Sequence, residues 1–292
     1  MKRLLFLLLL IPVLSFGQEV YTYGGDVVTY SNNALTVTPS TYCVKFQTVY
    51  DAFSVTPDNT YSGYWNTMVE DIGTYWDSLD IFNFRAVHNS TDALINWKNP
   101  GTYNSTNVHS TAFTQYEGFT GDGANDYLNW NWNGFSDGDN YQLATSSFGC
   151  YIRNNVSNTV ALGAYDTDIS ARFAHISPRS ADVAYVRVNS FGNGSAANTD
   201  SRGFYVANRT SNSVNDLYKN GVILIDDTDA YVGIPNENFY ELAWNQDGSA
   251  ASFSNLQISC TFAGAGLSVT AITTITDAIE TCMDAMGKGV IP

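Results

Sequence analysis

Asp216-Leu-Tyr-Lys-Asn220-Gly221-Val-Ile-Leu-Ile225 decides the fold class. Two short β-prone runs flank Asn-Gly, the pair that best tolerates positive φ at both central positions of a type I′ turn, so the stretch predicts a two-residue β-hairpin. Outward from this hairpin the same period of two recurs. Asp80-Ile-Phe-Asn-Phe-Arg-Ala-Val87, Asp126-Tyr-Leu-Asn-Trp-Asn-Trp-Asn133, Tyr141-Gln-Leu-Ala-Thr145, Ala181-Asp-Val-Ala-Tyr-Val-Arg-Val188 and Gly203-Phe-Tyr-Val-Ala-Asn-Arg209 each alternate apolar with polar residues between turn formers. Such segments make half-buried strands of an all-β sandwich.

The period changes at both ends of this region. Near the C-terminus, Ile258, Cys260 and Phe262 alternate with Gln257, Ser259 and Thr261, which predicts a last strand with Cys260 pointing inward. Ser268 then offers an N-cap, and Val269, Ile272, Ile275, Ile279, Cys282, Met283 and Met286 form one stripe of an amphipathic helix that Gly287 ends. Upstream, Trp65, Met68, Val69 and Ile72 recur at three- and four-residue spacing, so a shorter helix ending at Gly73 is expected before the first strand. Residues 18–41 are short apolar snatches broken by Gly, Asn and Pro, and suit an extended lead-in. The expected organisation is one domain over residues 42–292, with a helical prelude (42–79), a sandwich (80–267) and a closing helix (268–287).

Lys2-Arg3, the apolar run Leu4 to Leu14 and the small residues Ser15 and Gly17 form the pattern of a secretory signal peptide over residues 1–17. The chain is therefore expected outside the cytoplasm, secreted or cell-surface associated, with no membrane insertion after cleavage. The net charge of −15 disfavours nucleic acid and anionic membranes, because phosphate binding depends on clustered Lys and Arg. Neutral or cation-bridged partners fit that charge better. Cys43, Cys150, Cys260 and Cys282 are even in number and would meet an oxidising compartment, so up to two disulfides are candidates; buried free thiols are the competing reading.

The order of segments resembles a known family. Phe119-Thr-Gly-Asp-Gly-Ala-Asn-Asp-Tyr-Leu128, then Asn208-Arg-Thr-Ser211 with Leu217-Tyr-Lys-Asn-Gly-Val222, then Phe253-Ser-Asn-Leu-Gln-Ile-Ser259 through Gly264-Ala-Gly-Leu-Ser268 are similar to motifs of concanavalin A-like, laminin-G-like jelly rolls. The prelude motifs Phe46 to Phe53, Asn66 to Glu70, Trp76 to Asp80 and Leu94 to Lys98 resemble the subgroup found in bacteroidete secreted proteins and tailed-phage structural proteins. The resemblance implies a two-sheet antiparallel jelly-roll sandwich that binds, where it binds at all, through its loops or its concave sheet. Fold does not fix function.

Catalysis finds little support in the residue pattern. Retaining glycosidases need two closely spaced carboxylates, and of the glutamates only Glu237 and Glu241 are near neighbours, in a stretch that reads as a turn entering a strand. His88, His109 and His175 are scattered. His175 with Arg172 and Arg187 could be assembled as a base beside cations for a uronate, but the pattern reads more simply as solvated strand residues. Acidic turns carrying Asp122, Asp126, Asp137, Asp139, Asp166 and Asp168 are candidate calcium sites, as laminin-G-like domains often hold calcium at loop edges; ordinary turn formation competes. No cofactor is required.

Trp130 and Trp132 share a strand face, as core or as a platform for stacking sugars, with Arg209 and Tyr218 weaker candidates of the same kind. The resulting expectation is a non-enzymatic exported binding or adhesion module whose partner is carbohydrate or a cell-surface protein. The alternatives are a virion structural or decoration protein and a carbohydrate-active enzyme with an atypical site.

Overall fold

The computed structural model describes residues 19–23, 26–31 and 34–39 as strand backbone, and residues 42–157, 160–167 and 171–292 in full. The stretch read as a signal peptide lies outside these residues. Within the lead-in, β1 (Glu19–Tyr23), β2 (Asp26–Ser31) and β3 (Ala34–Pro39) pair with one another as an antiparallel meander.

Two helices follow, α1 (Val44–Ala52) and α2 (Asn59–Ile72). Asp58 caps α2 by accepting the Thr60 N–H, and Gly73 ends it at φ +60°, a conformation that costs glycine little. The expected spacing holds, since Trp65, Met68, Val69 and Ile72 are all buried.

The strands are then β4 (Leu79–Phe84), β5 (Thr106–Val108), β6 (Ala112–Thr114), β7 (Gly118–Thr120), β8 (Tyr127–Asn133), β9 (Ser146–Ile152), β10 (Leu162–Asp166) and β11 (Arg172–Ser180). They continue as β12 (Val183–Ser190), β13 (Gly194–Ala197), β14 (Gly203–Arg209), β15 (Asp216–Lys219), β16 (Val222–Ile225) and β17 (Asn238–Glu241). Last come β18 (Trp244–Gln246), β19 (Ser249–Ala251), β20 (Gln257–Gly264) and the closing helix α3 (Val269–Ala285).

These strands form two sheets packed as a sandwich. One has nine strands, in the order β13-β12-β11-β10-β17-β8-β5 with β18 and β19 attached; the other has eight, in the order β16-β15-β14-β9-β20-β7-β6 with β4 beside β20. Pairing is antiparallel except where β18 runs parallel to β10. The predicted hairpin is β15–β16, with Asn220 at φ +53° and Gly221 at φ +76°, as a type I′ turn requires. Tyr141 to Thr145 is not a strand; it contributes a single bridge between Gln142 and Thr145.

The eight-stranded sheet is buried on both faces. Every residue of β9 and β14 is buried, and all of β20 after Gln257. One face meets the other sheet and the opposite face meets α2 and α3: the Trp65 indole donates to Met286 Sδ, and the Tyr151 hydroxyl binds the Glu280 carboxylate. With burial on both sides, the polar residues Ser146, Ser147, Ser259 and Thr261 of these strands are small and hydrogen-bonded inside the protein. In α3 the Ser268 hydroxyl accepts the Ala271 N–H, as expected, but Val269 is exposed, because the first turn projects past the rim of the sheet. No helix among the described residues is long and apolar enough to cross a membrane.

Candidate functional site

Alternation along β8 decides the fate of the two tryptophans. Leu128, Trp130 and Trp132 face the other sheet and are fully buried, whereas Asn129, Asn131 and Asn133 face outward. Trp130 stacks on Phe239 (centroids 5.3 Å apart, 16° between planes) and its indole N–H donates to Glu241 Oε1 at 2.6 Å. Trp132 meets Tyr141 edge-on at 5.7 Å. The stacking platform expected of them is thereby corrected: the pair is core.

Arg209 is also fully buried, and its guanidinium donates to the carbonyls of Val188, Ser211, Asn212 and Asp229, so it staples loops together and offers nothing to a ligand. Tyr218 is buried in the hairpin.

The acidic candidates spend their oxygens on the protein. Asp122 accepts the backbone N–H groups of Ala124, Asn125 and Asp126, closing its own turn, and those hydrogen bonds lower its pKa. Asp126 is nearly buried, and burial raises its pKa. Asp166 is buried against Arg172 at 2.6 Å and accepts the Asn236 N–H. Asp137 accepts from the Asn133 N–H and the Ser136 hydroxyl. Asp168 lies outside the described residues. No group of three or more His, Cys, Asp or Glu among the described residues is placed to hold a metal ion.

The disulfide expectation is corrected too, since all four cysteines are free. Across β9 and β20, Cys150 is opposite Thr261 and Cys260 is opposite Tyr151. Directly opposed residues share a face, so the one-residue offset puts the two thiols on opposite faces of their sheet.

A candidate functional surface lies instead on the outer face of the nine-stranded sheet. In β10, β11 and β12 the inward set is small or aliphatic: Leu162, Ala164, Ala174, Ile176, Ala184, Val186 and Val188 are all fully buried. The alternate positions, Tyr165, Phe173, His175, Tyr185 and Arg187, therefore face outward. Tyr165 stacks on Phe173 (4.2 Å, 7°), and Trp244 of β18 packs against both (5.4 and 5.6 Å) and against the His175 ring (5.0 Å). Phe191, 63% exposed, extends the cluster 6.1 Å from Phe173.

Gly163 lies directly opposite His175, where a Cβ would come within 2.6 Å of the His175 Cβ, so the glycine makes room for the imidazole. Farther along the same face Tyr127 stacks on Tyr240 at 4.5 Å.

Polar atoms within this cluster lack partners. His175 Nδ1, Arg187 Nε and Trp244 Nε1 are sealed from water and make no hydrogen bond among the described residues. An unsatisfied buried polar group costs about 1–3 kcal/mol, so these three nitrogens each carry a cost in stability. Arg187 is opposite His175 in the β11–β12 register, with its guanidinium 4.0 Å from the Phe173 ring centre. Burial, with Arg187 beside it, pushes the His175 pKa down to about 3, so the imidazole is neutral at ordinary pH.

His175 and Arg187 are thus not the solvated strand residues they resemble in sequence, and the third member of that set, Arg172, is tied up with Asp166. The aromatic residues around them carry a signal in the sequence: where one alternating set is wholly aliphatic and the other aromatic and basic, the second set is the one that faces outward.

Elsewhere, a polar cleft of about 290 Å³ is lined by Asp77, Asp80, Lys98, Tyr103, Asp137 and Asn140 among others. Asp80 there is saturated by the N–H groups of Asn140 and Tyr141.

No protein-family model matches this chain, and no curated protein does. Solved structures do. A sialidase of Trypanosoma rangeli, in complex with 2,3-difluoro-KDN, aligns with a TM-score of 0.54 at 10% identity over 90% of this chain and 45% of its own. The CBM40 domain of a Ruminococcus gnavus sialidase, bound to α2,3-sialyllactose, aligns with a TM-score of 0.37 at 15% identity, covering 46% of this chain and 83% of that one. Domain 4 of the Geobacillus stearothermophilus arabinanase AbnA, in complex with arabinotriose, gives 0.38 at 16% identity, covering 68% and 98%. This chain spans less than half the length of the sialidases it matches. The likeness to the Trypanosoma enzyme is one of fold.

Proposed function

We propose that this protein is a non-enzymatic, exported carbohydrate-binding module whose ligand lies on the outer face of the nine-stranded sheet. The carrying observation is the outward-facing aromatic patch of Tyr165, Phe191 and Trp244 packed on Phe173, beside which the terminal nitrogens of Arg187 have no partner among the described residues. Sugars are bound in this way elsewhere in chemistry: apolar ring faces stack on aromatics, while hydroxyls pair with a few fixed polar groups. The laminin-G-like order of motifs agrees with this reading.

Support for a binding role over a hydrolytic one comes from Glu237 and Glu241. Glu241 is fully buried, where Arg85, Trp130 and Thr261 all donate to its Oε1, while Glu237 accepts from Asn245 outside that network. Two carboxylates so divided cannot flank one glycosidic bond.

A glycan-array screen of the purified chain, with Phe191→Ala and Trp244→Ala alongside, tests the proposal. Specific binding weakened about tenfold or more in both variants, equivalent to about 1.4 kcal/mol, is the expected result. A blank array from folded protein would remove the proposal and favour a role in assembly.

A further inference from the structure

Six of the seven described arginines have an ion pair or hydrogen-bond acceptors built in. Arg85 pairs with Glu241, Arg153 with Glu117, Arg172 with Asp166, Arg179 with Asp182 and Arg202 with Asp200, while Arg209 is saturated by carbonyls. Arg187 is the exception, with no ion pair and no hydrogen bond among the described residues, in a chain whose 28 acidic residues far outnumber its 13 Lys and Arg. Arg209, Lys98 and Lys219 also lack a carboxylate but donate to carbonyl or amide oxygens, whereas Arg187 donates to nothing among the described residues. Asp229 and Tyr165 act on it through space, but neither is bonded to it. Only Nε among its nitrogens is sealed from solvent, so the outer edge of the guanidinium, 4.0 Å from the centre of the Phe173 ring, remains open.

Taking a guanidinium partly out of water without a counter-ion is costly, and the cost is offset when an anion arrives. The planar fork suits a carboxylate or sulfate oxygen pair better than it suits a hydroxyl. The Trp244 ring lies in the same cluster, 5.0 Å ring to ring from His175, which itself opposes Arg187. Accordingly, and resting on the saccharide reading above, we infer that the site takes an acidic saccharide, with Arg187 receiving its anionic substituent while Phe191 and Trp244 hold the sugar ring. The strongly negative net charge does not oppose this at close range, because at physiological salt charges are screened beyond about 8 Å.

Isothermal titration of the full chain separates this inference from the reading beneath it. The probes are oligogalacturonate, a sulfated galactan and a neutral galactan, each with wild type, Arg187→Gln, Arg187→Lys and the charge-matched control Arg179→Gln. Wild type should bind one of the acidic ligands at least about tenfold more tightly than the neutral one, and which acidic ligand wins tells carboxylate from sulfate. Arg187→Gln should collapse that preference, Arg187→Lys should retain part of it, and Arg179→Gln, which removes the same charge from an exposed ion pair, should retain all of it. Far-UV circular dichroism of each variant guards against misfolding.

Equal affinity for neutral and acidic ligands in wild type, or a preference that survives Arg187→Gln, overturns the inference and leaves the saccharide reading standing. Absence of binding to every saccharide, here and on the array, overturns both.

Discussion

Arg85 and Arg187 occupy the two sides of one sandwich and have opposite environments. Arg85 is fully buried between the sheets, donating to Glu241 at 2.6 Å, to Ser105 Oγ at 2.6 Å and to the Ala93 carbonyl at 2.7 Å. Arg187 lies on the outer face of the nine-stranded sheet with an aromatic ring beneath it and no acceptor. A charge in a core persists only when its partners are built in; a charge at a surface can wait for a partner from solution. The same contrast separates the two outer faces, one covered by α2 and α3, the other left with Phe191 exposed and Trp244 partly so. The first is a matter of folding and the second is the face we propose for recognition.

The largest effect that tests this contrast is at Glu241. Glu241→Gln, leaving Arg85 buried without its counter-charge, should cost about 3–5 kcal/mol in urea unfolding. Replacing both partners by Arg85→Met and Glu241→Leu should cost less than the single change, because a buried pair removed together leaves no orphan. Should the single change cost under about 1 kcal/mol, water reaches that pair and the contrast between the two arginines is lost.

Next in size is the comparison of aromatic residues. Trp130→Ala opens a cavity against Phe239 and removes one of three donors to Glu241, so a loss of about 3–5 kcal/mol is expected. Phe191→Ala, at an exposed position, should stay within about 0.5 kcal/mol of wild type while weakening saccharide binding. Thermal melts beside the glycan array read both quantities. Trp130→Ala protein that remained as stable as wild type yet lost binding would return the platform to β8.

Much of the scaffold is legible in the sequence because it depends on local chemistry. Asn220-Gly221 fixes the hairpin, Gly73 stops α2, and Ser268 starts α3. What resists reading is orientation. Alternation says that Trp130 and Trp132 share a face but not which face is inward, since that depends on the sheet packed against it. The site on β11 and β12 is hidden for the same reason: His175 and Arg187 are twelve residues apart in a polar-looking pattern, and only the strand register places them side by side. Likewise Arg172 belongs with Asp166 and not with His175, because an ion pair across β10–β11 claims it.

A smaller, pH-dependent effect follows from His175. Burial lowers its folded-state pKa to about 3, below the 6.5 of an exposed imidazole. Between those values the unfolded chain binds a proton that the folded chain refuses, so this residue makes stability fall as pH drops from about 6.5 towards 3. Its slope is at most about 1.4 kcal/mol per pH unit. His175→Phe should flatten that part of the profile when urea midpoints are compared at pH 7.5 and 4.5, and saccharide binding by wild type should vary little over pH 5 to 8. An unchanged slope in His175→Phe would mean that the imidazole is hydrated and already charges in the folded state.

The smallest expected effect is none at all, and it concerns the thiols. Cys150, Cys260 and Cys282 are buried, and burial pushes each of their pKa values up, which suppresses the reactive thiolate; Cys43 is only partly buried. A reductant should therefore leave the melting temperature unchanged, and a thiol reagent applied to folded protein should modify Cys43 first, with the other three following only on unfolding. The offset in register between β9 and β20 is the physical reason: linking Cys150 to Cys260 would require one thiol to pass through its own sheet. A melting temperature that fell in reductant would show a disulfide, and mapping it would tell a Cys260–Cys282 link, which leaves the strands in place, from a Cys150–Cys260 link, which needs β20 shifted by one residue against β9. Because a one-residue slip turns every side chain of a strand to the other face, it would also carry Thr261 away from Glu241 and dismantle the network that holds Arg85.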